Sequence, residues 1–337
     1  MSVKVAINGF GRIGRLVARH LKARDGFDLV AINDLTSPDM LGYLFAHDSV
    51  HGKWAGSVEV DGQSITINGD RMQVFAERNP ADLPWHTLGV DYVVEATGLF
   101  RTRDAAGAHL EAGAKKVIIS APGKSVDETF VMGVNDEKYD PAAHHVVSNA
   151  SCTTNCLAPM AKVLHETVGI EHGWLTTIHA YTNDQRIRDV QHSKDMRRAR
   201  AAAINIIPTS TGAAKAIGLV YPELAGKLDG AALRVPVPDA SVCDLTFVAS
   251  RSGTVEEIRQ AFIEAAAGPL KGILRATDEP LVSSDIIGES HSTVVDLALI
   301  AQVAPNFFRV VGWYDNESAY ALRVVDLMEH MVSRDAE

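Results

Sequence analysis

Cysteine is scarce in this sequence. It has three, Cys152, Cys156 and Cys243, too few and of the wrong parity for a disulfide framework. A reducing cytoplasm is the expected setting, with any special cysteine kept for chemistry. Long apolar runs are absent as well. No stretch approaches the roughly 18 consecutive apolar residues that cross a bilayer, so no membrane partner is expected. The opening Met1-Ser2-Val3-Lys4-Val5 lacks a basic region, an apolar block and a small-residue cleavage site. It runs directly into a strand-like segment, where the mature chain is expected to start. Positive charge is not in excess either. A formal net charge of −10 argues against nonspecific attraction to nucleic acid or anionic lipid. Internal repeats and low-complexity segments are also missing.

What is present is ordinary globular composition, 46% hydrophobic and 22% charged over 337 residues, too long for one core. Two domains are expected. The first third alternates short apolar runs with amphipathic segments. Strands are predicted at 3–7, 29–32, 91–95, 116–120 and 145–147, with a helix over 13–23. That alternation implies a mostly parallel sheet covered on both faces. Between 57 and 74 the pattern changes to hairpins, with turn signals at Asp61-Gly62 and Asn68-Gly69, read as an excursion at the sheet edge. After about Asn149 the β-branched runs 174–178, 231–235 and 242–249 have fewer helices between them. A second, α+β domain with a mixed or antiparallel sheet is expected there. Leu322, Val325, Met328 and Val332 recur at helical spacing and predict a last helix that packs on the first domain. The expected division is 1–150 with 317–337 against 151–316.

Gly9-Phe10-Gly11-Arg12-Ile13-Gly14 follows the first strand and opens the first helix. The pattern alone is weak, and a glycine-rich turn without a ligand is the alternative reading. Context strengthens it. The first glycine permits a tight turn, the second lets backbone approach a pyrophosphate, and the third allows close helix–strand packing. Helix-start N–H groups then face the phosphates. Twenty residues past Gly14, at the end of the second strand, stands Asp34. An acid there binds the adenosine ribose hydroxyls and repels a 2′-phosphate, favouring NAD over NADP. The first domain is therefore read as a Rossmann-type, α/β dinucleotide-binding domain.

The run Ser148-Asn149-Ala150-Ser151-Cys152-Thr153-Thr154-Asn155-Cys156 follows a strand and precedes an amphipathic helix, with Pro159 placed near its first turns. Ser, Asn and Thr crowd the helix start as caps do. Cys152 sits where a helix N-terminus is expected to lower a thiol's pKa. Cys156, one turn further in, is expected to be less exposed. Cysteines at i and i+4 without a second pair are not zinc spacing, so no metal is expected. A thiolate nucleophile needs a base. Among 13 histidines, His179 stands out at the end of the strand-like run 174–178, although sequence alone does not exclude the others.

Arg186, Arg188, Lys194, Arg197, Arg198 and Arg200 crowd a short stretch, and Thr209-Ser210-Thr211-Gly212 and Arg234 follow. Arginine and hydroxyl groups suit phosphate oxygens. Most of the arginine run is nevertheless read as solvated or at subunit contacts. A single aromatic, Tyr181, argues against single-stranded nucleic acid.

At these residues the chain resembles the glyceraldehyde-3-phosphate dehydrogenase family from end to end. Ala150-Ser-Cys-Thr-Thr-Asn-Cys156 resembles that family's active-site signature. Asn8 to Arg15, Asp48-Ser-Val-His-Gly52, Asn205-Ile-Ile-Pro208 and Trp313-Tyr-Asp-Asn-Glu317 add to the likeness. The resemblance implies that Cys152 attacks an aldehyde, that His179 takes its proton, and that hydride passes to NAD before inorganic phosphate cleaves the thioester. It implies Ser151, Thr153, Thr211 and Gly212 at the attacking phosphate, and Thr182, Arg234 and Arg197 at the substrate's own. Arg12, Ile13, Asp34, Arg78, Ser120 and Asn316 match cofactor-binding positions beside Gly9 and Gly11. A homotetramer is implied, with the loop over about 181–203 reaching a neighbour's cofactor. Two places depart from the family pattern. Val190-Gln191 stands where NAD-specific bacterial members have Leu-Pro, which leaves room for weaker use of NADP. Ser318-Ala319 replaces an aromatic–glycine pair near the nicotinamide. The rival readings are erythrose-4-phosphate dehydrogenase, which shares the cysteine signature, and a NAD-binding regulator without turnover.

Overall fold

In a computed structural model, residues 2–193 and 195–336 are described; Lys194 of the basic stretch lies outside them. The chain divides into two units. One comprises the residues up to Phe130, Asp136–Ala150 and the segment from Ala321 on, and the other Val131–Asn135 and Ser151–Tyr320.

The first unit is built on strands β1 (Val3–Asn8), β2 (Phe27–Asn33), β3 (Val58–Asp61), β4 (Ser64–Ile67), β5 (Asp70–Phe75), β6 (Tyr92–Glu95), β7 (Lys116–Ile119), β8 (Glu128–Thr129) and β9 (Val146–Ser148). They lie side by side in the order β3-β4-β5-β2-β1-β6-β7-β9-β8. The pairings from β5 through β2, β1, β6, β7 and β9 are parallel. β3, β4 and β5 pair antiparallel, which is the edge excursion read from the two turn signals. Continuous apolar runs suit the central strands because both sheet faces are covered. On one face Ala6, Ala31 and Val93 pack with Trp85 and Leu83; elsewhere Ala106 packs against Val117, Ile119 and Val146.

Helix α1 (Arg12–Lys22) opens at the glycine turn. α2 (Pro38–Ala46) starts where Ser37 accepts the Met40 N–H and a proline takes the first position, a position that lacks an N–H partner anyway. α3 (Trp85–Leu88) and α4 (Arg103–Glu111) follow, the latter capped by Thr102.

In the second unit come α5 (Cys152–Val168), β10 (Ile170–Ala180), β11 (Ile207–Ser210), α6 (Ala213–Val220), β12 (Leu228–Val235), β13 (Ser241–Ala249), α7 (Val255–Ala267), β14 (Leu274–Thr277), β15 (Thr293–Asp296), β16 (Ala301–Ala304) and β17 (Phe307–Tyr314). The sheet order is β11-β12-β10-β13-β17-β15-β14, with β16 beside β17. It is mixed: β10 pairs β12 parallel and β13 antiparallel.

Pro159 lies inside α5, about two turns from its start, in keeping with its expected place near the first turns. A proline there costs about 3 kcal/mol of helix stability. The helix persists because it packs on α6, α7 and β17, and packing outweighs local propensity.

The final helix, α8 (Ser318–Asp335), starts where Asp315 accepts the N–H groups of Glu317 and Ser318. Its later turns belong to the first unit. There Arg24 pairs with Asp326 at 2.6 Å, and the hydroxyls of Tyr92 and Tyr139 both donate to Asp335.

Candidate active site

β2 and β5 lie on one side of β1, and β6, β7 and β9 on the other. Parallel sheets bind ligands beyond the C-terminal strand ends at such a switch point. A cleft of about 330 Å³ opens there, lined by Gly9, Gly11, Asp34, Arg78 and Thr97 among others. Gly9 has φ +92°, and a Cβ on it would stand 2.6 Å from the Thr97 nitrogen. Gly14 is as confined, since its Cβ would meet the Gly9 carbonyl oxygen at 2.1 Å. Gly11 is the opposite case, with nothing within 4 Å of an added Cβ. Open backbone at a helix start, flanked by two glycines that tolerate no side chain, fits a dinucleotide's phosphates. Asp34 accepts the Phe10 N–H at 2.8 Å and the Thr36 N–H at 3.0 Å, which sets its carboxylate against the glycine turn. Arg12 and Ile13 open α1, and Ser120 donates to the Glu95 carbonyl beyond β7; these three lie outside the cleft lining.

Arg12 pairs with Asp48 at 2.7 Å. Burial works to raise the Asp48 carboxyl, but the N–H groups of His51 and Val50 together with Arg12 prevail and hold it at about 2. A depressed folded value stabilises the fold fully above about pH 4 and loses that contribution as pH falls through about 2. Acid unfolding followed by circular dichroism is therefore expected to begin at higher pH in wild type than the Asp48 value, and Asp48→Asn should flatten the curve between about pH 4 and 2. A curve unchanged by the substitution would remove Asp48 from the acid limb.

In the second unit, Ser151 caps α5 by accepting the Thr154 N–H at 3.0 Å, so Cys152 is the first helical residue. The preceding Ala150 has φ +54°, a conformation in which a side chain is strained. Along β10 the buried residues alternate, Leu175, Thr177 and His179 facing one way, as a strand's period of two requires. The Sγ of Cys152 lies 3.5 Å from Nε2 of His179. Parallel register sets Arg234 of β12 opposite His179. Its Nη1 is 2.7 Å from His179 Nδ1 and donates to the Ala180 carbonyl at 3.0 Å. Nδ1 also lies 2.7 Å from that carbonyl. Nδ1 thus faces a donor, Arg234, and an acceptor, the Ala180 carbonyl, at the same distance. The tautomer with its hydrogen on Nδ1, directed at that carbonyl, is the one that leaves Nε2 free to take the thiol proton.

A thiol lowered by its helix start alone is not what the structure holds. Burial pushes the Cys152 thiol up to about 11, against the pull of Arg234 and of the Thr153 hydroxyl. Burial and then Arg234 push His179 down to about 3. Each charge is disfavoured singly. Moving the proton from sulfur to Nε2 gives each charge its counter-charge, so the pair titrates as a unit. Cys156 and Cys243 are buried. The Cys156 thiol donates to Thr293 Oγ1 at 3.3 Å, and burial raises Cys243 well above its ordinary value.

The remaining predicted residues are more dispersed. Thr153 is buried, its hydroxyl 2.9 Å from that of Tyr314. Thr211 and Gly212 precede α6, where Thr211 accepts the Ala213 N–H. The Thr182 N–H reaches Gln185. Arg197 is exposed, whereas Arg198 is held by Asp184, Asp195 and Thr209, and Arg200 by Asp189. Asn316 is buried, its carbonyl accepting the Ser241 hydroxyl at 2.5 Å.

Residues 3–103 match the model of the glyceraldehyde 3-phosphate dehydrogenase NAD binding domain, and residues 151–316 that of the C-terminal domain. Glyceraldehyde-3-phosphate dehydrogenase of Geobacillus stearothermophilus is 56% identical over 334 residues, 99% of each chain. The enzymes of that name from Priestia megaterium and Bacillus subtilis are each 55% identical over 334 residues, again 99% of each chain. The chain belongs to the glyceraldehyde-3-phosphate dehydrogenase family.

For this glyceraldehyde-3-phosphate dehydrogenase family member, sequence reasoning overlooked several groups around His179 and Thr153. Tyr314 stands in a quoted motif, yet only the fold shows its hydroxyl meeting Thr153 and Thr177, each at 2.9 Å, and its ring edge-on to His179. Thr177 was legible as the residue two before His179 on one strand face. Ser241 carried no signal.

Proposed function

We propose that this chain oxidises D-glyceraldehyde 3-phosphate with NAD and inorganic phosphate to 1,3-bisphosphoglycerate. The 3.5 Å contact between Cys152 Sγ and His179 Nε2 carries this reading, in a member of a dehydrogenase family. As the sulfur of Cys152 bonds to the aldehyde carbon, its proton passes through Nε2 to the carbonyl oxygen, giving a thiohemiacetal, and Nε2 takes that proton back when hydride leaves. Bound NAD supplies the hydride acceptor, and a thioester remains on Cys152. During these proton transfers the His179 hydrogen on Nδ1 is directed at the Ala180 carbonyl, which holds the ring with Nε2 toward the sulfur. Phosphate then attacks the thioester carbon, and the thiolate leaves. Arg234 has nitrogens without a protein partner among the described residues, beside the thiol, which suit a phosphate oxygen. Thr182 and Arg197 complete the site for the substrate's phosphate, and Ser151, Thr153, Thr211 and Gly212 that for the attacking one. Gly9, Gly11, Arg12, Ile13, Asp34, Arg78 and Ser120 would hold NAD in the first unit, and Asn316 of the second is the residue proposed for its nicotinamide amide. Residues 1–150 thus serve the cofactor and 151–316 the chemistry. The four-carbon aldehyde reading falls away, since the relatives and both domain models bear the triose name. A regulator without turnover would have no use for a paired thiol and imidazole.

The setting proposed is the cytoplasm, in keeping with three free cysteines and no described helix long and apolar enough to cross a membrane. A homotetramer is supported by exposed apolar side chains over 187–206, Ile187 at 87%, Met196 at 92% and Ile204 at 80%. Such exposure on one segment marks an interaction surface.

Initial rates of the purified chain test the reaction. With NAD and glyceraldehyde 3-phosphate, steady turnover is expected only when inorganic phosphate is present. Without it, a burst of about one NADH per site should precede a slow phase. Equal steady rates in both conditions would mean hydrolysis and would overturn the phosphorylating reading.

A further inference from the structure

Along the cofactor cleft, a row of buried polar side chains crosses the strand ends of the first unit, and two of them, Asn8 and Asn33, line the cleft itself. Glu95 at the end of β6 and Asn8 at the end of β1 are each 1% exposed, and His109 of α4 is fully buried. Asn8 Nδ2 donates to Glu95 Oε2 at 2.6 Å, and Asn33 Nδ2, at the end of β2, donates to Asn8 Oδ1 at 2.7 Å. Asn33 then exchanges two hydrogen bonds with the Glu77 backbone beyond β5, at 2.9 and 2.8 Å.

The far end defines the charges. The Trp85 indole N–H, which can only donate, reaches His109 Nδ1 at 3.0 Å. His109 therefore carries its hydrogen on Nε2 and donates it to Glu95 Oε2 at 3.1 Å. The backbone and hydroxyl of Thr97 donate to the other oxygen. Four donors converge on Glu95, none of them a cation, and each of its oxygens is an acceptor.

A buried carboxylate without a cation is an expensive way to join strands that already pair. Its placement explains why it is worth keeping. Asn8, Asn33 and Glu77 line the cleft, Glu95 does not, and each of the four is followed in the chain by a further lining residue: Gly9, Asp34, Arg78 and Ala96. Gly9 itself approaches Thr97 so closely that no Cβ fits between them. We propose that Glu95 is a positioning residue for the dinucleotide: through Asn8 and Asn33 it locks the spacing of the glycine turn, Asp34 and Arg78 that the adenosine half must meet. The proposal rests on the reading of this cleft as the NAD site.

Exchanging the carboxylate and the amide between the two positions tests it. Glu95→Gln turns an amide N–H₂ toward existing donors, and Asn8→Asp sets two carboxylates face to face. Asn8→Asp combined with Glu95→Gln pairs every group again. The new carboxylate at position 8 accepts from the new amide at position 95, from Asn33 and from His109, whose Nε2 lies 3.3 Å from Asn8 Nδ2, while the carbonyl of that amide accepts from Thr97. In calorimetric titration of the ligand-free full chain with NAD and with ADP-ribose, each single change should weaken both ligands at least about tenfold, and the double change should return within about threefold of wild type. The rate of Cys152 alkylation by iodoacetate, in the other unit, should stay within about twofold throughout. If Glu95→Gln does not fold, a double variant that folds and binds NAD still supports the pairing. Single variants of wild-type affinity, or a double variant as weak as the singles, would overturn it. Asp34→Ala separates the two readings. Weak binding there with an indifferent Glu95→Gln sinks Glu95 alone, whereas unchanged binding in Asp34→Ala sinks the cleft assignment and this proposal with it.

Discussion

Cys152→Ala is expected to lower kcat by about 10⁴-fold or more while leaving the affinity for NAD within about twofold of wild type. The split follows from placement. Cys152 is the first residue of α5 and the cysteine whose sulfur lies against His179, whereas the glycine turn and Asp34 line a cleft in the other unit. Neither other cysteine can substitute. Cys156 is buried with its thiol on Thr293, and Cys243 sits behind the Thr153 carbonyl. The measurements are initial rates with phosphate present and calorimetric titration with NAD. Retention of a tenth of the activity would remove Cys152 as the nucleophile. Loss of NAD binding would show that the substitution had damaged more than the thiol.

His179→Asn should reduce kcat by about 10² to 10⁴-fold, the range general-base groups contribute. It should also change how Cys152 ionises. Beside His179 the thiol can hand its proton across 3.5 Å, so alkylation by iodoacetate is expected to be fast at neutral pH and to respond to the pair. Without the imidazole the thiol titrates alone, in surroundings where burial holds it above its ordinary value. The reactive thiolate is the basic form, so the variant's rate should rise with pH into the alkaline range. At pH 7 it should be at least about 100-fold slower than wild type. Cys156 and Cys243 should label slowly in both proteins. A wild-type pH profile in the variant would mean that His179 takes no part in activating the thiol.

Much of the fold was open to reading because its signals are local. The six-residue glycine pattern, the alternation of strands and helices before residue 150, and the Asp-Gly and Asn-Gly turns each act over a few residues. They reappear as β1 and α1, the parallel strands, and the β3-β4-β5 hairpins. Pro159 was legible as part of α5, but what lets the helix hold it is contact with α6, α7 and β17, which only the fold shows. The hydrogen-bonded row from His109 to Glu77 was not legible at all. Its members come from α4 and the ends of separate strands, and no spacing in the chain marks them as neighbours.

The amino-acid order by itself determined where a thiol begins a capped helix and where a strand turns into a helix through glycines. Both depend on side-chain caps and backbone freedom within one turn. Only the tertiary structure decided which of the 13 histidines stands beside Cys152, that Arg234 faces it from the next strand, and how the thiol and imidazole ionise. Those facts depend on strand register and on the removal of water, which exist only once distant segments have packed together.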